Sequence, residues 1–311
     1  MSRFPTRKGT DVTEIRTDPL TSEEIARYND QGFLFPIRVL DDAQVALAQE
    51  ALDDHLEGRR DSKSYELTDP IVDPGPGKAT VGAGVASAVA ETAEAERKPH
   101  SVPFLYNLWE RDERFWDIVS NPIIAGMARQ LLGSEEVVLL EDGAVVKKPV
   151  VGGRLGWHQD YAYWPLATPG AVTCWIALDD VGAENGGMQV AAGSHKLGEK
   201  LPVEFGDGSS FMHSERPGIG EVQLPEEAGL DAVGYELKAG ECGFHHALLW
   251  HASGPNTSPN PRRGFVPRYV AGGTMWLGAL RFPYNYTDEE LECAPGEPIH
   301  GPHFPRIEAA F

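Results

Sequence analysis

Glu184-Asn185-Gly186-Gly187-Met188-Gln189-Val190 packs a tight turn and the start of a strand into seven residues. Asn-Gly readily supplies the positive backbone dihedrals of such a turn, so the run reads as a hairpin between the apolar stretches 171–178 and 188–191. Outward from it, residues 137–146, 234–237, 243–250 and 265–270 are further strand candidates, separated by Gly, Pro, Asn and Asp. Short strands punctuated in this way favour an antiparallel sandwich or barrel over a parallel α/β sheet.

Upstream of residue 136 the pattern is helical. Thr21-Ser22-Glu23-Glu24 has the form of a helix cap and leads through Ile25 and Tyr28 to the apolar Phe33-Leu34-Phe35. Between Asp41 and His55, Val45, Leu47, Ala48, Ala51 and Leu52 recur at helical spacing, and Trp116, Ile118, Val119, Ile123, Met127 and Leu131 do so over residues 115–132. Residues 62–100 are rich in Gly, Ala, Pro and acids and read as a loop insertion. Residues 196–233 read as a second, and long loops in compact domains often act as lids or binding loops. No repeat is visible, and the expectation is one domain over 1–311: a helical scaffold over about 20–135 and a β core over about 136–285.

With 41% hydrophobic residues in 311, the chain can fill a sizeable core. Forty-seven acidic residues against 27 basic ones give a formal net charge of −20. Such a surface argues against nucleic acid or an anionic membrane as a partner. Three cysteines without a CxxC pair suggest neither a disulfide framework nor a zinc knuckle. The N-terminus lacks an apolar core of signal-peptide length, so a cytoplasmic protein is expected.

Chemistry enters with Gly156-Trp157-His158-Gln159-Asp160-Tyr161. In a strand, residues two apart face the same side, so His158 and Asp160 can offer an imidazole and a carboxylate to one ion. Tyr161, Tyr163 and Trp164 follow, an aromatic density suited to the wall of a buried pocket. The third ligand could be His245, His246 or His251. His245 and His246 face opposite ways in a strand, whereas His251 stands where an apolar run meets Gly254-Pro255-Asn256, a usual place for ligands. Two histidines and one carboxylate form the facial triad of the non-haem Fe(II) oxygenases. His195 and His213 are weaker candidates.

Taken together, Trp157-His158-Gln159-Asp160, the run from Glu184 to Val190 followed by Gly193-Ser194-His195-Lys196, and His251-Ala252-Ser253-Gly254-Pro255-Asn256 with Arg262 beyond resemble the phytanoyl-CoA dioxygenase family over about residues 20–269. The resemblance implies a double-stranded β-helix of the jelly-roll, cupin-like kind with flanking helices. It also implies Fe(II), 2-oxoglutarate and O2 as cofactor and cosubstrates, with His158, Asp160 and His251 as the iron ligands. Gly193-Ser194-His195 matches a structural turn of the family, which demotes His195.

The distal carboxylate of 2-oxoglutarate needs a cation, and arginine suits it because its planar fork stays charged when buried. Arg262 and Arg263 should face opposite ways in an extended backbone. The family's arginine stands eleven residues after the distal histidine, which is Arg262, and Arg268 is the reserve. By the same resemblance, Ser253 sits beside that carboxylate and Trp175 lines its pocket.

An intact Asp160 leaves no vacant ligand position for chloride, so hydroxylation is expected over halogenation. Desaturation, cyclisation or epimerisation would follow from the same cofactor chemistry. Tyr161, Tyr163, Trp164 and the Met275-Trp276 pair are expected to draw the substrate pocket, which suits a bulky secondary metabolite. No Lys/Arg cluster is evident that would favour an acyl-CoA. The competing reading is a non-catalytic or 2-oxoglutarate-independent cupin-like metal protein. A small-molecule substrate is the expected partner, and the protein is expected to be a monomer or homodimer.

Overall fold

The computed structural model describes residues 14–68, 101–150, 152–202, 219–278, 286 and 289–311. Its first helix, α1 (Ser22–Gln31), starts as its sequence dictates: the Thr21 hydroxyl accepts from the Glu24 N–H while the Glu24 carboxylate accepts from the Thr21 N–H. Gly32 closes it at φ 85°, a left-handed conformation that glycine adopts without strain. β1 (Phe33–Arg38) and α2 (Asp42–Leu56) follow, with Val45, Ala48, Ala51 and Leu52 of α2 buried.

The helix read over 115–132 is two helices, α3 (Glu113–Val119) and α4 (Pro122–Leu132). The reason is local. Asn121 precedes a proline and is disfavoured in the α region, and its side chain instead caps α4 by accepting from Ile123 N–H.

The remaining strands are β2 (Lys63–Thr68), β3 (Ser101–Tyr106), β4 (Val137–Glu141), β5 (Gly143–Lys147), β6 (Leu155–His158), β7 (Ala171–Ala177), β8 (Met188–Ala191), β9 (Ala232–Gly234), β10 (Glu241–His246), β11 (His251–Ser253), β12 (Arg262–Phe265), β13 (Arg268–Ala271) and β14 (Arg306–Ile307). They form two antiparallel sheets. The larger is ordered β14-β4-β13-β7-β12-β5-β3-β2, with β10 on the other edge of β7 and β1 beside it; the smaller is β6-β11-β8-β9. This two-sheet arrangement is a double-stranded β-helix core. The helices pack against the larger sheet through one cluster that includes Leu52, Phe115, Ile124, Cys174, Phe244 and Tyr269.

Several sequence expectations need adjusting. The run 137–146 is two strands broken at Asp142, whose carboxylate accepts from Leu108 and Trp109 N–H. The run 265–270 belongs to two strands interrupted at Val266-Pro267. β2 occupies residues read as the start of a loop, and the rest of that loop to residue 100 lies outside the described residues, as does 203–218 of the second.

The Glu184 turn is a turn but not a hairpin. Asn185 Oδ1 accepts from Gly182 N–H and Gly186 takes φ 77°, yet β7 and β8 lie in opposite sheets. The turn chemistry acts locally, and the register of β8 against β11 decides where the chain goes next.

Candidate active site

β6 and β11 are neighbours in the smaller sheet, with His251 directly opposite His158. Their rings lie 4.1 Å apart between centroids. Asp160 begins a 3-10 turn just after β6 and returns its carboxylate to the same spot. One ligand atom each from His158, Asp160 and His251 falls within 4.8 Å of the others, and all three residues are buried. The convergence expected from sequence is thus present, with the exception that Asp160 sits on a turn rather than in the strand.

Each histidine is set for a ligand role by its own backbone. His158 Nδ1 lies 2.7 Å from Gly156 O and His251 Nδ1 3.0 Å from Leu249 O. A proton on Nδ1 satisfies each carbonyl and puts the lone pair on Nε2, the tautomer that metal ligation needs. Burial pushes His158 down to about 3, so it is neutral at physiological pH. For Asp160, burial favours protonation, but His251 and the contact with His245 outweigh it and hold the carboxyl well below the usual range.

Asp160 Oδ1 is 3.4 Å from His251 Nε2, whereas Oδ2 is tied behind the site. The Thr173 hydroxyl donates to Oδ2 at 2.9 Å, and His245 Nε2 lies 3.3 Å from the same oxygen. Sequence reading left His245 among the possible ligands and passed over Thr173. His245 lies outside the three-residue ligand cluster. The alternation of β7 could have found Thr173: a polar residue among Val172, Cys174 and Ile176 faces inward only if it has a partner there.

The triad opens onto a cleft that also holds Trp175, Ser253, Arg262 and Arg268. Arg262 and Arg263 face opposite ways, as an extended strand requires. Arg263 turns out to Asp179 and Asp53, while Arg262 is only 2% exposed. Arg262 donates from Nη2 to Gly186 O at 3.1 Å and stacks over the Trp175 ring at 5.3 Å, but its Nε has no partner. Burial pushes its guanidinium down to about 9. A buried cation whose neighbouring carboxylate, Asp179, is taken by Arg263 is a fitting receptor for a dicarboxylate. Ser253 is buried in β11 beside it, and Lys147, wholly buried, donates to Gly153 O at 2.7 Å and to Gly254 O, which fixes the turn after Ser253.

The expected pocket aromatics divide. Tyr163 presents an edge to His158 at 6.1 Å between centroids. Tyr161, Trp164 and Trp276 are buried in a second apolar cluster with Leu166, Leu248 and Phe304, and they do not line the described cleft. Met275 is partly exposed and bridges to Pro298.

The sequence profile of the phytanoyl-CoA dioxygenase family, PhyH, matches residues 28–264, most of the chain. The chain belongs to that family. A probable alpha-ketoglutarate-dependent hypophosphite dioxygenase of Stutzerimonas stutzeri is 31% identical over 66% of this chain and 70% of its own length. An L-proline trans-4-hydroxylase of Streptomyces griseoviridis is 31% identical over 64% of this chain and 79% of its own. Against the mouse phytanoyl-CoA dioxygenase domain-containing protein 1, at 27% identity, the match spans 57% of the relative.

Among solved structures, the non-heme alpha ketoglutarate dependent carbocyclase SnoK from nogalamycin biosynthesis has the same fold. Its TM-score is 0.65 at 23% identity, covering 93% of this chain and 96% of that one. The epimerase SnoN from the same biosynthesis gives 0.64 at 24% identity, covering 91% and 96%. This PhyH-family member is an Fe(II)- and 2-oxoglutarate-dependent dioxygenase acting with O2, and the donor set around Asp160 and Arg262 fits both the metal and the cosubstrate. No helix among the described residues is long and apolar enough to cross a membrane.

Proposed function

We propose that this dioxygenase hydroxylates an unactivated C–H bond of a small organic molecule of secondary metabolism. His158, Asp160 and His251 are assigned as its iron ligands, and Arg262, Ser253 and Trp175 as its 2-oxoglutarate site. The observation that carries the reading is the pairing of a three-residue ligand cluster with a buried, carboxylate-free Arg262 in one cleft. A cupin-like protein that worked without 2-oxoglutarate would have no use for that second feature.

Iron, when bound with 2-oxoglutarate and O2, supplies an oxidant that removes hydrogen from carbon while the cosubstrate leaves as succinate and CO2. The chain's own residues prepare that site. His158 and His251 present neutral imidazoles from opposed strands, and Asp160 supplies one negative charge. Arg262 fixes the far end of the cosubstrate, and the apolar walls of the cleft, Val145, Leu155, Met188 and Val266, exclude water.

The intact Asp160 occupies the position a halide would need, which supports hydroxylation over halogenation. A second reading is cyclisation or epimerisation, favoured by the folds shared with SnoK and SnoN. A small-molecule metabolite is preferred to an acyl-CoA because the chain is strongly acidic.

The test is spectroscopic. Anaerobic addition of Fe(II) and 2-oxoglutarate should give a weak metal-to-ligand charge-transfer band in the visible, lost in Asp160→Ala and weakened in Arg262→Met. A wild-type protein without such a band, or variants that keep it undiminished, would sink the assignment. Product analysis with O2 and candidate metabolites then separates hydroxylation from ring closure or epimerisation.

A further inference from the structure

A second arginine reaches the same cleft from β13. Arg268 is 7% exposed and lies directly opposite Thr173, whose hydroxyl holds Asp160. Its guanidinium lies 5.6 Å from the Phe104 ring centroid and 5.8 Å from the Trp164 ring centroid. Glu141 Oε1 is 3.2 Å from Nη1, and the Trp164 indole N–H donates to that same oxygen at 3.0 Å. The charge of Arg268 is therefore balanced by Glu141, but two of its donor atoms are not used: Nε and Nη1 lack a hydrogen-bond partner, since the Glu141 contact is close without being aligned. Unmade hydrogen bonds on a buried guanidinium are costly and so call for a ligand that arrives later.

Charge identifies the ligand. With Arg268 neutralised by Glu141, a divalent metal held by the triad would leave, beside the Asp160 carboxylate, one positive charge in excess. A carboxylate placed against both the metal face and Arg268 brings the sum to zero in a dry site, where residual charge is expensive. Asp142, the next acid along the chain, is occupied with Leu108 and Trp109 N–H and does not alter the sum at the cleft.

We infer that Arg268 is a second carboxylate-binding residue of this cleft, receiving the 2-oxo-acid end of the cosubstrate while Arg262 receives its distal carboxylate. The inference rests on the reading of the cleft as a 2-oxoglutarate site. It gives the cleft one arginine for each carboxylate of the cosubstrate. A carboxylate of the oxidised substrate would offer Arg268 the same chemistry, and the experiment separates the two sources.

The full chain, loaded with Mn(II) under anaerobic conditions, is titrated by calorimetry with 2-oxoglutarate and, in competition, with pyruvate, which carries the 2-oxo-acid end alone. Arg268→Lys keeps the charge and loses the fork; Arg268→Gln with Glu141→Gln removes the pair together, leaving no buried lone charge. Both should weaken 2-oxoglutarate and pyruvate alike by roughly tenfold or more, the loss of one or two charge-assisted hydrogen bonds. Arg262→Met should weaken 2-oxoglutarate and leave pyruvate unchanged.

Arg268 variants that bind both acids within twofold of wild type overturn the inference and leave Arg268 to the substrate. A loss that merely follows a fall in Mn(II) affinity also overturns it, because Arg268 would then act through Asp160. A wild-type chain that binds no 2-oxoglutarate defeats the reading beneath it instead, so the two failures are distinguishable.

Discussion

Asp160 is the residue on which the site turns, and it is held from behind as well as used in front. Thr173 and His245 both reach Oδ2, leaving Oδ1 on the His251 side. Burial pushes His245 down to about 4, so it is neutral and donates from Nε2, which leaves its Nδ1 unpartnered. This arrangement predisposes the carboxylate to bind metal through one oxygen. Residues that orient a metal ligand in this way typically influence affinity by 10–100-fold. Thr173→Val and His245→Phe should therefore each weaken Co(II) binding by about tenfold or more, read from the d–d spectrum of the loaded protein. His245→Gln, which retains a donor, should recover part of the loss. If Thr173→Val binds Co(II) as wild type does, the threonine does not position Asp160.

At the level of elements, the distal half of the cleft depends on how closely β12 and β7 approach. A Cβ placed on Gly264 would come within 2.3 Å of Trp175 Cζ2, and Trp175 in turn carries the Arg262 guanidinium on its face. Gly264→Ala should displace the indole, lower Tm through overpacking on the order of 1–3 kcal/mol, and raise the Kd for 2-oxoglutarate while metal affinity holds. Equal 2-oxoglutarate affinity in the variant would show that Trp175 is only core. That glycine was silent in the sequence, whereas β8 at Met188–Ala191 was legible with its observed bounds and His158 was read in a strand, as it lies in β6. The difference is physical. Periodicity and turn residues are local signals, but the break at Asp142 arises from N–H groups over thirty residues away, and the sheet that β8 joins is chosen by β11. The aromatic run after Asp160 fared in the same way: composition marks Tyr161, Trp164 and Trp276 as apolar bulk, and only packing sends them into the second cluster while Tyr163 stays beside His158.

Across the whole molecule, the number of buried neutral histidines sets the response to acid. Burial is the first cause in each case, pushing His158 to about 3 and both His245 and His246 to about 4. Each is neutral when folded but takes a proton near pH 6.5 when unfolded. The sign follows: the unfolded chain binds more protons below pH 6.5, so this contribution to stability is present above that pH and is lost as pH falls toward 4. Each such histidine steepens the loss by about 1.4 kcal/mol per pH unit. Asp142 acts the other way, since burial raises it to about 7 and the folded state then holds the extra proton. His55 and His195 are shifted down by burial as well, so the histidines outweigh Asp142, and the metal-free protein should have a lower Tm at pH 5 than at pH 7. His246 isolates the effect because it lies on the outer side of β10 among Tyr28 and His195, away from the triad, with Nδ1 accepting from Leu248 N–H. His246→Gln, which can still accept that bond, should flatten the dependence by about one proton in metal-free calorimetric scans across this range. Parallel Tm profiles for the variant and wild type would mean that His246 is not kept neutral by the fold.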